Sequence, residues 1–183
     1  MPRLSFFIFV KKIKYIIVVI IFLNSAGLIE AAGNNQIAAK ARLEAKAGNR
    51  DFAFLQYQAL LRQTAQGKYK NEAMFGLGEY YFSMADYRDA RPLLDTCSKE
   101  CSGFEQKLFS FVYLLKIAQL RKDVSLQKEL EQKIMMLKKH AFIFSDSKKY
   151  KYRSPLNFSY LAVYSIDKIE FFMEGRLLAK ITY

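Results

Sequence analysis

The chain has 183 residues, enough for one hydrophobic core or a short repeat array with an appendage, and this argues against a multidomain enzyme. It is 52% apolar, with 16 Phe, 12 Tyr and no Trp, a composition that excludes a disordered chain. The net charge of +12 comes from 29 cationic and 17 anionic side chains, and residues 121–153 alone hold ten Lys or Arg against four acidic residues. That region reads either as a solvated helix face with a basic loop or as a polyanion-binding patch.

Residues 1–33 have the arrangement of an export signal. Lys11, Lys12 and Lys14 precede an unbroken apolar run of nine residues, Tyr15 to Leu23, and the small residues Ser25, Ala26 and Gly27 follow. Nine residues rise only about 13 Å as a helix, short of the roughly 20 residues that span a bilayer, so cleavage is expected rather than anchoring. The alternative is an uncleaved anchor that holds the chain on the membrane, because the run SFFIFV adds apolar length ahead of the cations. The expected location is the periplasm or cell envelope.

From Asn34 to His140 the apolar pattern is helical. Gly48 can end one helix, Asn49 or Asp51 can cap the next, and Ala53, Tyr57, Leu60 and Leu61 recur at helical spacing. Setting Ala53 against Ala90 gives a 37-residue period that also sets Gly48 against Ala85 and Tyr57 against Leu94. A further step of 37 reaches Phe111, Leu114, Leu115 and Ala118, then Asp123 as a cap, as Asp86 caps the corresponding helix before it. Leu126, Leu130, Ile134 and Leu137 carry the buried stripe of the last helix. Pro92 lies inside a helix and should only bend it.

The stretch Asn71 to Cys97 is the most regular. Leu77, Gly78, Tyr81, Tyr87 and Ala90, with Met74 ahead and Leu94 behind, stand at offsets that resemble the tetratricopeptide repeat, in which two antiparallel helices interlock through small residues. Gly78 and Ala90 would be the two points of closest approach. The resemblance covers about 34–140, best in the middle hairpin; in the first, Lys40 and Glu44 fall where the motif wants Leu and Tyr, and the third matches only in its first half. It implies a mainly α fold of antiparallel helical hairpins stacked as a short solenoid, and a protein that holds another protein or peptide. Ligands in that family lie in a groove lined by the first helix of each hairpin. Carried over, the positions are Glu72, Phe75, Glu79 and Phe82, with Val112, Lys116 and Gln119 from the third hairpin.

Past His140 the pattern changes. The basic segment 141–154 reads as a loop, and Phe158 to Tyr164, Lys168 to Met173 and Leu177 to Tyr183 read as short strands of a small antiparallel β element over 155–183. Glu174 and Gly175 form the last turn. KIEFFMEGRLLAKI is similar to the hairpin of bacterial immunoglobulin-like domains, although a full sandwich needs about seven strands. A helix from Pro155 to Met173 is the alternative.

No catalytic constellation is visible: His140 is the single His, no Ser sits in a nucleophile elbow, and there is no glycine-rich phosphate loop. At its helix end His140 reads as a dipole-favoured cap. Cys97 and Cys101 have no further Cys or His to complete a metal site, and they read either as a disulfide at a distorted helix end or as a small core residue and a free thiol. No enzyme, metal or cofactor is therefore expected. The function expected is an exported scaffold for protein interactions. The alternative is a binder of anionic lipid, wall polymer or nucleic acid through the basic segment 121–153, with Lys148, Lys149, Lys151 and Arg153 alternating with Tyr150 and Tyr152. Export would put nucleic acid out of reach.

Overall fold

The structure is a computed structural model that describes residues 33–64, 67–142 and 149–182, with side chains as far as Leu137 in the last helix. The export segment, Lys148 and the side chain of His140 lie outside the described residues. The chain divides into two units, Met1–Gln36 and Ile37–Tyr183, and the core lies in the second.

Among the described residues six helices follow in order: α1 (33–46), α2 (Arg50–Gln63), α3 (Lys68–Ser83), α4 (Tyr87–Glu100), α5 (Phe104–Arg121) and α6 (Val124–Phe142). They pack in adjacent pairs as three antiparallel hairpins. The 37-residue period reappears in the backbone: Gly48, Ala85 and Lys122 all have positive φ, at 90°, 60° and 58°. The hydrogen bonds repeat with them, since Asn49, Asp86 and Asp123 donate their N–H to the carbonyls of Glu44, Tyr81 and Ala118. Each hairpin thus reverses through the same left-handed closure of its first helix. Asp86 and Asp123 then accept from the N–H groups of Asp89 and Leu126, which caps α4 and α6, whereas Asn49 makes no such bond.

The middle hairpin closes on Gly78. A Cβ there would sit 2.8 Å from Leu94 Cγ, and Leu94 is fully buried, so the helices meet without room for a methyl group. Gly78→Ala should lower stability by about 1 kcal/mol in a urea melt, because overpacking outweighs the gain in helix propensity. At the far end of α4 the helix stops at Glu100 and Cys101 turns extended (φ −63°, ψ 130°), which brings its Cα to 4.8 Å from that of Cys97. The two cysteines form a disulfide.

The C-terminal part is a four-stranded antiparallel sheet in the order β1 (Lys149–Arg153), β2 (Ser159–Tyr164), β3 (Lys168–Met173) and β4 (Arg176–Thr182). The expected hairpin of Lys168–Met173 with the chain after Gly175 is present, Gly175 having φ 75°, and no helix crosses 155–173. One expectation needs correction: 149–153, read as part of a basic loop, is a strand. Its alternation of cation and tyrosine has the period of two that suits a half-buried strand. A register shift between Phe171 and Phe172 lets β4 bury Leu178 and Ala179 in succession.

Candidate functional site

Helix α3 is buried continuously from Asn71 to Glu79, because α2, α4 and α5 pack on it and Tyr152 and Tyr160 of the sheet reach Phe75 and Glu79. Most of the residues expected to line a partner groove are buried. Glu72, Phe75, Glu79, Phe82 and Val112 are buried, and Lys116 and Gln119 are half-buried. The ring of Phe75 lies 6.4 Å from those of Tyr113 and Tyr152, and Phe82 packs on Tyr113 at 4.5 Å and Tyr87 at 5.2 Å. The expectation of an open groove is therefore corrected: the chain's own sheet covers Phe75 and Glu79, and neighbouring helices cover Glu72 and Phe82. Inward-facing Tyr152 stacks on Phe109 of α5 at 5.5 Å, Tyr160 packs tilted against it at 4.4 Å, and Phe171 meets the same ring edge-on. These aromatic contacts supply the apolar burial that holds sheet to helices.

Polar groups are threaded through this interface. The Tyr160 hydroxyl donates to Glu79 Oε1 and is itself hydrogen-bonded to the Tyr113 hydroxyl, which also approaches Met173 Sδ at 3.0 Å. Glu79 is fully buried, and burial pushes its carboxyl up to about 8, against smaller opposing effects of Tyr160, Ser154, the Leu156 backbone and the Arg50 charge. Glu79 therefore holds its proton at neutral pH. A protonated Glu79 can donate to Tyr160 instead, so that the chain of bonds runs outward to Met173 and every hydroxyl keeps a partner. Burial, with Glu79 beside them, raises the hydroxyls of Tyr113 and Tyr160 well above the ordinary tyrosine value.

A second buried carboxylate joins the first two hairpins. Arg42 of α1 donates to both oxygens of Glu72, at 2.7 and 2.5 Å, and Tyr57 of α2 donates to Glu72 Oε1 at 2.9 Å. The bond to Glu72 raises the Arg42 guanidinium above its usual value. Arg50 of α2 lies over the ring of Phe158 at 3.8 Å and donates to the Leu156 carbonyl, which fastens the β1–β2 connection to the helices. Glu72 and Glu79 are thus structural carboxyls. Each is paired with residues the sequence did not link to it, Arg42 and Tyr57 for one and Tyr113 and Tyr160 for the other.

The surface left open is the outer face of the sheet. Period-two alternation turns Lys149, Lys151 and Arg153 outward and sends Tyr150 and Tyr152 inward. The Tyr150 hydroxyl donates to Glu105 Oε1 at 2.6 Å, so neither tyrosine is available to stack on a base between the cations. Behind the cations, cross-strand pairs set Lys151 beside Leu161, Leu161 beside Phe172, and Phe172 beside Leu177. Lys151, Leu161 and Phe172 line a concavity of about 910 Å³, together with Val163, Ser159 and Glu170. Arg153 is held at its rim by Asn157 Oδ1 at 2.9 Å.

Among the described residues no group of three or more His, Cys, Asp and Glu is placed to hold a metal, and no helix is long and apolar enough to cross a membrane. Compared with known proteins, the chain matches no family model, and no curated protein or solved structure is significantly similar to it.

Proposed function

We propose that this chain is a non-catalytic binding scaffold of the cell envelope, in which helical hairpins of tetratricopeptide type carry a C-terminal sheet and present its outer face to another protein. The observation that carries the reading is the contrast between the two faces of the sheet. The inner face is spent on the helices, while the outer face is concave, apolar at its centre and cationic along β1. Concave, mostly apolar surfaces with a few placed polar groups are where proteins take ligands. Export rests on Lys11, Lys12, Lys14 and the apolar run Tyr15 to Leu23.

The test is capture from an envelope extract with the tagged chain and with a Leu161→Ser, Phe172→Ser variant, whose side chains are half-buried rather than core. A protein retained by the parent and lost with the variant, at unchanged melting temperature, is the expected result. Equal retention by both would place the contact elsewhere.

The second reading, a polyanion binder, is favoured by the outward alignment of Lys149, Lys151 and Arg153 on one strand. It predicts retention on any anionic matrix with a steep dependence on salt and little on Leu161 or Phe172.

A further inference from the structure

The outer face of the sheet has a cross-section that specifies more than a general contact. Its floor is Leu161 and Val163 of β2, Phe172 of β3 and Leu177 of β4, the last of them 53% exposed. One wall is β1, with Lys149, Lys151 and Arg153. On the far strand, β4, Lys180 is exposed opposite Glu170. Glu170 is within 3.1 Å of Lys168 and sits between Val163 and Lys180 in the register, so its charge is offset within the sheet. Neither Lys151 nor Arg153 pairs with a carboxylate among the described residues, and Arg153 is held by the neutral Asn157. An apolar floor with Lys151 and Arg153 along one edge and Lys180 beyond the other is complementary to an apolar stripe flanked by anions.

The dimensions fit a helix. Three strand spacings separate β1 from β4, about 14 Å, and a helix with its side chains is about 10–12 Å across. Strands of six residues, as in β2 and β3, extend about 20 Å, the length of roughly 13 helical residues. Charge also argues against other occupants. A second copy would bring its own Lys151, Arg153 and Lys180 against these, and the chain's N-terminal segment carries Lys11, Lys12 and Lys14 beside its apolar run.

We propose that this face seats an amphipathic helix of a partner protein whose apolar stripe is flanked on both sides by Asp and Glu. The proposal rests on the outer-face reading above and names the partner's chemistry. Carboxylates on one flank would meet Lys151 and Arg153, those on the other would meet Lys180, and the leucine-like stripe would cover Leu161 and Phe172.

The experiment is fluorescence anisotropy of the full chain with a labelled peptide of about four helical turns that carries a Leu stripe flanked by Glu, and with its Lys-flanked counterpart. Saturable binding of the Glu peptide, at least tenfold tighter than of the Lys peptide, is expected. The variant Lys151→Glu, Arg153→Glu, Lys180→Glu changes only exposed side chains, so it should fold, and it should lose at least tenfold for the Glu peptide and come to prefer the Lys peptide. Polyglutamate binding as tightly as the amphipathic peptide would overturn the proposal in favour of a simple polyanion site. Binding to phosphatidylglycerol vesicles without binding of the peptide would overturn it in favour of a lipid surface. If the peptide fails while envelope capture still depends on Leu161 and Phe172, the helix is wrong and the outer-face reading survives. If capture is indifferent to those residues, both fall.

Discussion

Raising the pH from 5 to 8.5 should cost this protein several kcal/mol of stability, and Glu79→Gln should remove most of that loss. The sign follows from linkage. The Glu79 carboxyl titrates near 8 when folded, against an ordinary value of 4.5, because it is buried between α3 and the sheet. Between those values the folded chain holds a proton that the unfolded chain has released, so stability falls as pH rises and levels off above about 8. The contribution is fully present below about 4.5. Its size is on the order of 3–5 kcal/mol. The groups that face the carboxyl are Tyr160 of β2, Tyr113 of α5, Ser154 and the Leu156 backbone before β2, and Arg50 of α2, and the two tyrosines, raised well above the ordinary value, do not titrate in this window. Gln imitates the neutral acid, so the variant should match the parent within about 1 kcal/mol at pH 5 and exceed it at pH 8.5. Urea melts at the two pH values measure this. Parallel losses in parent and variant would mean that Glu79 is ionised throughout.

The double substitution Phe75→Ser, Phe82→Ser should abolish cooperative folding. Phe75 is fully buried and Phe82 nearly so, both against Tyr113, and each replacement removes an aromatic side chain and leaves a hydroxyl in its place. Large-to-small changes of this kind cost about 3–5 kcal/mol each, and the pair together approach the whole stability of a domain this size. Circular dichroism should show lost or non-cooperative melting. Phe75→Leu, which keeps most of the volume, should retain a sharp transition at lower temperature. An unchanged melt of the double variant would place these rings in solvent, where a partner could reach them.

The sequence was informative wherever one residue fixes a backbone state. The period of 37 is visible because Ala53 matches Ala90, Gly48 matches Ala85 at the same left-handed turn, and Asp86 and Asp123 form the same cap, and the last hairpin because Gly175 must take a positive φ. Helical spacing also put Phe75, Glu79 and Phe82 on one face. It could not say what covers that face, since an apolar stripe looks the same under a partner as under a sheet 70 or more residues further along the chain. Strand β1 was missed although its signal was present: KYKYR alternates with a period of two, but its cations weigh toward a loop when composition alone is read. The partners of Glu72 and Glu79 come from separations of 15 to 81 residues, beyond any local pattern. For the cysteines, spacing left the choice open, and the departure of Cys101 from helical geometry decides it.

That the sheet occupies the inner face of the helices and leaves its outer face clear of them can be checked by nuclear Overhauser contacts between assigned aromatic rings. Strong contacts are expected between the Tyr160 ring and Phe109, whose centroids are 4.4 Å apart, and between Phe82 and Tyr113 at 4.5 Å, with none from Leu161 or Phe172 to any helix. Absence of the Tyr160–Phe109 contact in the folded chain, with Phe75 accessible to a soluble paramagnetic probe, would contradict this arrangement.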